Sequence, residues 1–363
     1  MSQLNDLIGR AAAQNASDIH LTVGLPPVFR IDGALQNDGE AILDEDAVAA
    51  MAKELANQQQ IEELEHTGEV DFAVTVASSI RMRCNIFRQQ GYTALALRLL
   101  PLRIPTAEEL LLPQIIIEQA EKPRGLVLIT GPTGSGKSST LAALLDHINR
   151  TARRHIITLE NPIEYVHERI QCVINQREVG SDTGSFASGL RAALRQDPDV
   201  ILVGEMRDLE AISTAITAAE TGHLVFGTLH TKGAANTVDR IVDVFPADQQ
   251  EQVRIQLADV LECAIGQTLL PKIGGGRRAV FEIMVGTAAV RSLIRQNKSF
   301  QITSTMQTSK KLGMVLLDDA LAELVQAGEV SVEDAASAAN DPQAIRALQP
   351  KRHINMPLSS GQL

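Results

Sequence analysis

The sequence predicts an α/β protein of two domains, of which the second is built on a mainly parallel sheet. Three observations carry this prediction. From residue 125 onward, short apolar runs alternate with helical stretches, which is typical of parallel strands covered by helices on both faces. A glycine-rich loop separates the first of these strands from a helix. The first 100 residues instead combine an amphipathic helix with alternating strands, which predicts a smaller mixed α/β domain.

The N-terminal domain is predicted to span residues 1–100. An amphipathic helix opens it, because Leu4, Leu7 and Ile8 recur at helical spacing. Farther along, apolar and polar residues alternate as they do in the strands of a small sheet. Strands are predicted within five segments, 18–23, 28–33, 71–76, 81–87 and 93–99.

A proline-rich segment is predicted to link the domains. Three prolines lie in this segment, and we interpret residues 101–113 as the linker. The second domain is predicted to span residues 114–345 and to become more helical after about Thr268. Residues 346–363 are predicted to form a disordered tail. Strands of the second domain are predicted within 125–130, 155–159, 200–203 and 224–228.

Composition and charge exclude several classes of protein. The 44 acidic residues outnumber the 33 lysines and arginines, which gives a formal net charge of −11, and aromatic residues make up only 3%. This argues against sequence-independent nucleic-acid binding, which needs clustered positive charge and stacking aromatics. The three cysteines are far apart and predict neither a disulfide framework nor a cysteine-only zinc site. Since neither a signal peptide nor an apolar run of roughly 20 residues is recognisable, we expect a cytoplasmic protein that contacts membranes only through partners.

The glycine-rich loop, here called the phosphate loop, matches the pattern G-x-x-x-x-G-K-[ST] at every fixed position. Its glycines let the backbone direct several N–H groups at one anion, and the following helix adds partial positive charge. Lys137 can reach the β- and γ-phosphates of ATP, and the Ser138 hydroxyl can take a coordination site of Mg²⁺. A chance glycine-rich turn is disfavoured because strand, loop and helix coincide. The predicted nucleotide-binding residues are Gly131, Pro132, Thr133, Gly134, Ser135, Gly136, Lys137, Ser138 and Ser139.

A second motif delivers a carboxylate to the carboxyl end of a predicted strand. The apolar run 200–203 leads into Glu205, and open α/β sheets bind their ligands at this end of their strands. Glu205 can contribute to the Mg²⁺ site and orient or deprotonate the attacking water. The alternative is a strand-end glutamate paired only with Arg207. Beside an intact phosphate loop, we favour the catalytic interpretation.

Two more clusters accompany strands of the second domain. Glu160 and Glu164 follow a strand and are predicted to act in catalysis. His223 and His230 lie at the two ends of another strand. A lone histidine is more often an ordinary core or surface residue. Because this pair flanks a strand next to the predicted nucleotide strand, we interpret both histidines as sensors of the γ-phosphate, with His230 in catalysis and His223 in nucleotide binding.

In combination, these motifs resemble a known family. From about Asp18 to Gly328 the sequence is similar to the PilT-type ATPases, the retraction motors of type IV pili within the secretion ATPase superfamily. Four elements occur in the family's order, namely the phosphate loop at 131–138, an acidic box at 158–164, a Walker B strand at 200–208 and a histidine box at 221–230.

The resemblance implies a homohexameric ring. Each chain would have an N-terminal PAS-like α/β domain and a C-terminal RecA-like P-loop ATPase domain with a helical C-terminal part, and ATP with Mg²⁺ would bind between them. Three arginines of the N-terminal domain would approach the phosphates, namely Arg81, Arg83 and Arg98. The alternative for these arginines, exposure on solvated strand faces, stays open. The implied partner is a PilC-like platform protein of the inner membrane, which would recruit the ring peripherally to the pilus base.

Two departures from the family pattern keep a second function open. The acidic box carries Asn161 where the family has aspartate, and the retraction motif at 288–296 differs at Ser292 and Gln296. Pilus retraction, which powers twitching motility, is the favoured function. The alternative is an accessory PilU-like or regulatory nucleotide-binding ring protein with weak ATPase activity, acting beside a sister retraction ATPase.

Overall fold

The structure, a computed structural model, describes residues 3–31, 33–76, 80–101 and 103–348. The chain divides into two compact units. The first unit comprises the residues up to 104 together with 161–167, and the second comprises 105–160 and the residues from 168 onward. Each unit has a hydrophobic core of its own.

The first unit is an antiparallel sheet covered by helices. Its helices are α1 (Gln3–Ala13), α2 (Glu45–Leu55) and α3 (Gln58–Thr67). Its strands are β1 (Asp18–Thr22), β2 (Val28–Ile31), β3 (Ala34–Asn37), β4 (Glu69–Val76), β5 (Ile80–Gln89) and β6 (Tyr92–Leu99). Within the described part of the chain they form one sheet in the order β3-β2-β1-β6-β5-β4. The predicted first helix and the five predicted strands are confirmed.

The two faces of this sheet differ because its strands alternate. In β5, Met82 and Cys84 are buried, whereas Arg83 between them is exposed. The buried face packs in one core with the apolar sides of the helices, to which α1 contributes Leu4 and Leu7. The opposite face of the sheet therefore carries charged side chains of the strands.

The second unit is built around a larger sheet. Its strands are β7 (Gly125–Thr130), β8 (His155–Glu160), β9 (Val173–Glu178), β10 (Val200–Val203), β11 (Leu224–Leu229), β12 (Leu261–Pro271) and β13 (Arg277–Val285). Its helices are α4 (Gln114–Ala120), α5 (Lys137–Thr151), α6 (Phe186–Ala193), α7 (Leu209–Glu220), α8 (Asn236–Asp243), α9 (Gln250–Val260), α10 (Ala288–Arg295), α11 (Ile302–Thr308), α12 (Leu317–Gln326), α13 (Val332–Ala338) and α14 (Pro342–Arg346). Throughout the described ranges, each helix is too short or too polar to span a bilayer.

The order of the strands in this sheet is β13-β12-β7-β11-β10-β8-β9. Neighbours from β12 to β9 are parallel, and β13 pairs antiparallel with β12. The predicted, mainly parallel sheet is therefore confirmed. Strands β7, β10 and β11 are buried along their whole length, because α4 and α5 pack in the core on one face and α7 to α10 pack in the core on the other.

The prediction that the chain becomes more helical after about Thr268 is confirmed from residue 288 onward, but the strand hairpin up to residue 285 was not predicted. Strands β12 and β13 form a hairpin there, and Gly274–Gly276 form its turn with φ between 79° and 104°. The hairpin carries the buried polar residues Gln267 and Glu282, which interrupt the apolar pattern expected of such strands. Helices follow only from Ala288 onward.

Residues at both ends of the second unit bear on the predicted boundaries. Residues 105–113 of the predicted linker belong to this unit, where Ala107 and Leu112 are buried in the same core as Ile116 of α4. Which residues act as the linker stays a prediction. Most of the predicted tail lies outside the described residues, which end at 348.

Candidate nucleotide site

Strand β7 leads into the phosphate loop, and α5 begins within it. Gly131, Gly134 and Gly136 have φ values of 148°, 81° and 89°, in the left-handed region that favours glycine. Gly131 is also fixed by space, because a Cβ there would lie 2.2 Å from the carbonyl oxygen of Gln267. Strand β12 therefore closes the base of the loop.

The start of α5 is suited to bind an anion. Its N-cap is Gly136, and no described side chain caps the helix, so its first N–H groups are directed into the loop. Lys137 Nζ donates to the carbonyl oxygens of Gly131 at 2.8 Å and Pro132 at 3.0 Å, which holds the ammonium group over the loop. Ser138 is exposed one residue farther along. A phosphate chain could thus meet backbone N–H groups and an ammonium group in one place.

Parallel strands bring three predicted residues to the edge of the sheet at which the loop lies. Strands β7, β11, β10 and β8 are neighbours in that order, so their carboxyl ends lie side by side. Glu205 follows β10, His230 follows β11, and Glu160 ends β8. The Gly131 N–H donates to the carbonyl oxygen of Leu229, which places His230 next to the loop.

The Glu205 carboxylate lies between two cationic or potentially cationic side chains. His230 Nε2 lies 3.0 Å from Glu205 Oε1, and the Arg207 guanidinium contacts the same oxygen. This contact with Glu205 raises the pKa of Arg207. The sequence favoured a catalytic Glu205 over a glutamate paired only with Arg207, and the structure contains that pair together with a histidine.

The backbone on both sides of Glu205 is fixed by the neighbouring strands. The Gly204 N–H donates to the Leu159 carbonyl at 2.7 Å, and the Met206 N–H donates to the Thr228 carbonyl at 3.0 Å. A Cβ at Gly204 would lie 2.9 Å from the Leu159 oxygen, so only glycine permits this close approach. Glu205 is thus held from β8 on one side and from β11 on the other.

Glu160 has a defined orientation at the end of β8. Thr158 Oγ1 donates to its Oε1 at 2.6 Å, and Gln176 Nε2 of β9 donates to the same atom at 3.2 Å. Glu164 belongs instead to the first unit, with residues 161–167. The two glutamates of the predicted acidic box are therefore divided between the units.

His223 lies at the opposite edge of the sheet from the phosphate loop. Its carbonyl oxygen accepts the N–H of Gly125, the first residue of β7, at 3.0 Å. The six residues of β7 separate this point from the loop, and a parallel strand of that length spans about 20 Å. His223 Nδ1 lies 2.9 Å from the Ala218 carbonyl oxygen. Within the second unit, the structure brings His230 to the loop and does not bring His223 there.

The three predicted arginines lie on the charged face of the first unit. Arg83 and Arg98 are directly opposite each other on β5 and β6. Arg98 donates to Asp18 at 2.9 Å, and Arg83 lies 3.8 Å from Asp71. Facing like charges destabilise a strand pair, and these carboxylates offset the repulsion between the two arginines.

Arg81 and Asp18 make two further contacts in the first unit. Arg81 Nε donates to the carbonyl oxygen of Ile163 at 2.8 Å, which attaches residues 161–167 to β5. Asp18 also lies 3.8 Å from Arg30, an arginine that the sequence interpretation missed. Burial acts to raise the pKa of Asp18, but hydrogen bonds from Arg98 and Ser17 outweigh it and lower that pKa. Arg30 could have been found from its position beside Asp18 in the predicted sheet.

The chemistry of the donors fits Mg²⁺. Among residues 3–31, 33–76, 80–101 and 103–348, there is no group of three His, Cys, Asp or Glu side chains arranged to hold a metal ion. Mg²⁺ commonly takes one or two protein oxygens and completes its shell with phosphate oxygens and water. The Ser138 hydroxyl and the Glu205 carboxylate are oxygen donors of this kind.

A buried carboxyl group beside the loop was also missed. Glu282 of β13 lines a cavity of about 390 Å³ with Gly131, Pro132 and His230. Burial raises the pKa of Glu282, while hydrogen bonds from the backbone N–H groups of Ala234 and Leu317 act to lower it. No local pattern could have revealed these partners, because they lie far away in the sequence.

Comparison with known proteins identifies relatives of nearly the whole chain. The family described as type II/IV secretion system protein matches residues 1–275. The type IV pilus retraction ATPase PilT of Pseudomonas aeruginosa is 49% identical over 94% of this chain and 99% of its own length. The type IV pilus ATPase PilU of the same organism is 37% identical over 93% of this chain and 90% of its own. A crystal structure of the pilus retraction motor PilT with bound ADP matches with a TM-score of 0.90 at 48% identity, over 96% of this chain and 100% of that one.

Proposed function

The chain belongs to the type II/IV secretion system protein family, and we propose that it is the ATPase motor that powers retraction of a type IV pilus. One observation carries the proposal. Lys137, Glu205 and His230 meet at one edge of a parallel sheet, in a chain similar to a retraction motor over nearly its full length.

ATP hydrolysis follows from the chemistry of these residues. The phosphates lie against the N–H groups of the loop and of α5, where Lys137 stabilises their negative charge. Glu205 takes a proton from water as the water oxygen attacks the γ-phosphorus. The bond from that phosphorus to the bridging oxygen breaks, and ADP retains the electron pair. Ser138 and Glu205 are the residues that would hold Mg²⁺, which would supply neutralising charge for the phosphates.

His230 and Arg207 orient the glutamate for this step. Both contact Oε1 of Glu205, so in the described part of the chain Oε2 is the oxygen left to receive the proton. The His230 side chain follows β11 directly and is 42% exposed, so it can also contact a γ-phosphate. Loss of that phosphate then changes the surroundings of His230. The state of the nucleotide is thereby linked to the segment between His230 and α8.

We propose that six copies assemble into a ring and that hydrolysis moves the two units of each chain against each other. The exposed Arg83 and Arg98 are the candidates for a contribution from the first unit. A PilC-like inner-membrane platform protein is the proposed partner, and through it the cytoplasmic ring is recruited to the pilus base. A sister retraction ATPase is a second proposed partner.

An accessory, PilU-like role is the second candidate function. Asn161 in the acidic box, which removes one negative charge relative to the family pattern, is the observation that favours it. The identity to PilU is 37%, against 49% to PilT, which favours the primary motor. An accessory protein of this kind would form rings with ATP but release little phosphate.

Steady-state Mg-ATPase activity of the unchanged protein and three variants, with oligomer size recorded on the same samples, tests the proposal. Lys137→Ala should abolish turnover, because it removes the ammonium group from the phosphates. Glu205→Gln should reduce kcat by about 100-fold or more while ATP still binds. The matched control is Glu251→Gln on the exposed surface of α9, which should behave as the unchanged protein.

Each outcome has a defined meaning. Turnover that survives Lys137→Ala would overturn the ATPase assignment. Rings with negligible turnover, with or without Glu205, would instead support the accessory role. Restoration of twitching in a bacterium that lacks its retraction ATPase, by the unchanged protein and not by the Glu205→Gln variant, would support retraction itself.

A further inference from the structure

Glu282 is a buried carboxyl group that the proposed hydrolysis does not use. It is 7% exposed and lies directly opposite Gly266 in the β12–β13 hairpin. A carboxyl group in such a place destabilises the protein unless hydrogen-bond donors surround it. The groups that donate hydrogen bonds to Glu282 therefore indicate its role.

Two backbone N–H groups, each at the start of a helix, donate to this carboxyl group. The Ala234 N–H donates to Glu282 Oε2 at 2.5 Å, and the Leu317 N–H donates as well. Ala234 lies just before α8, and Leu317 is the first residue of α12. Among the described residues, neither helix has a side-chain cap of its own. Glu282 supplies the acceptor that both helices lack locally, and the helix dipoles favour an acidic group there.

Two glycines bring the backbone close to the carboxyl group. A Cβ at Gly233 would lie 3.1 Å from Glu282 Oε2, and one at Gly266 would lie 3.4 Å from the same oxygen. Gly233 also has a φ of 88°. The segment before α8 is thus shaped to bring its backbone up to Glu282.

This segment starts at His230, beside the proposed catalytic glutamate. It runs from His230, whose Nε2 contacts Glu205 at 3.0 Å, to Ala234, which is bonded to Glu282. The next residue of β13, Ile283, exchanges backbone hydrogen bonds with Val315 at 2.8 and 3.0 Å, two residues before the C-terminal helices α12 to α14 begin at Leu317. We propose that Glu282 is a positioning residue that couples the orientation of His230 and Glu205 to the position of the C-terminal helices.

The cavity beside Glu282 gives this coupling space in which to operate. Its volume is about 390 Å³, and its walls include Pro132 of the phosphate loop, His230 and Leu317. A displaced segment can move into such a space without the overlap that a close-packed core would impose. The inference rests on the proposed function, since it assigns His230 and Glu205 to hydrolysis.

Hydrogen exchange and enzyme kinetics of full-length variants test the inference. In Glu282→Ala, amide exchange in residues 231–238 and 315–320 should accelerate about tenfold or more, because both helix starts lose their acceptor. The kcat should fall about tenfold, whereas the dissociation constant of a fluorescent ATP analogue should stay within about twofold. Glu282→Gln should give intermediate exchange rates and an intermediate kcat, because the carbonyl oxygen of its amide can accept only one of the two hydrogen bonds. The control is Glu323→Ala on the exposed face of α12, which should change neither readout.

Two results would overturn the inference. One is unchanged exchange at both helix starts in Glu282→Ala or, if that variant does not fold, in Glu282→Gln. The other is accelerated exchange with wild-type kcat, which would reduce Glu282 to a structural residue. A wild-type protein without ATPase activity would overturn the coupling to hydrolysis together with the proposed function. In that case, the exchange result still shows whether Glu282 holds the two helices.

Discussion

The Glu205 carboxylate is positioned by two separate sets of contacts. Its backbone is tied through Gly204 and Met206 to the neighbouring strands, and its side chain is tied through Oε1 to Arg207 and His230. The two side-chain partners differ in setting. Arg207 is 74% exposed, so solvent weakens its contribution, whereas His230 is fixed at the end of a buried strand. His230 is therefore expected to matter more for hydrolysis.

Replacing the two histidines of the histidine box should separate their roles. His230→Ala should lower kcat about tenfold or more, because Glu205 loses the partner that orients it. His223→Ala should leave kcat within about twofold, since His223 lies about 20 Å from the loop along the strand. Steady-state kinetics of both variants, with circular dichroism to verify folding, provide the measurement. Equal losses in the two variants would contradict this and return His223 to the nucleotide site.

At the residue scale, sequence motifs predicted those site residues whose spacing is local. The phosphate loop is one continuous segment, and Glu205 directly follows a strand, so pattern and position identify both. Glu282 illustrates what such patterns leave out, because it binds a backbone group 48 residues away.

At the scale of elements, the phosphate loop depends on the strand beside it. Gly134 and Gly136 both have positive φ, but their surroundings differ. A Cβ at Gly136 would lie 2.9 Å from Gln267 Nε2 of β12, whereas a Cβ at Gly134 would meet nothing within 4 Å. At Gly134 only the backbone conformation requires glycine, whereas at Gly136 the contact with β12 requires it as well.

Alanine substitutions at these two glycines should have unequal effects. Each adds a left-handed backbone cost of about 1–2 kcal/mol. Gly136→Ala additionally displaces the Gln267 side chain, so it should weaken ATP binding more than Gly134→Ala does. Isothermal titration with ATP and thermal melting of both variants would measure this difference. Equal losses would show that Gln267 adapts freely and that β12 does not shape the loop.

The elements that could be predicted from the sequence are those with a regular apolar pattern. The buried strands β7, β10 and β11 are continuous apolar runs, and α1 shows helical spacing. The hairpin β12–β13 was not predicted, because its buried polar residues obscure the strand pattern. Those polar residues lie where the hairpin meets the loop and the helices of the second unit, so local pattern failed where tertiary contacts decide the structure.

At the scale of the whole molecule, the chain contains separate cores in its two units. One hydrophobic core lies entirely in the first unit and includes Cys84, whereas another in the second unit includes Cys172 and Cys263. All three cysteines are buried as free thiols. Burial raises the pKa of the Cys84 and Cys263 thiols to about 12 and also raises that of Cys172. Each unit thus has an internal reporter of its own unfolding.

Thiol labelling across a denaturant series should reveal whether the units unfold separately. In the native protein at pH 8, all three cysteines should react slowly, because they are buried and remain protonated. Because Cys84 belongs to a core of its own, its reactivity should rise at a different denaturant concentration from that of Cys172 and Cys263. Mass spectrometry of pulse-labelled peptides gives each midpoint, and a Cys84→Ala variant provides the assignment control. A single shared midpoint for all three thiols would instead mean that the two cores unfold as one cooperative system.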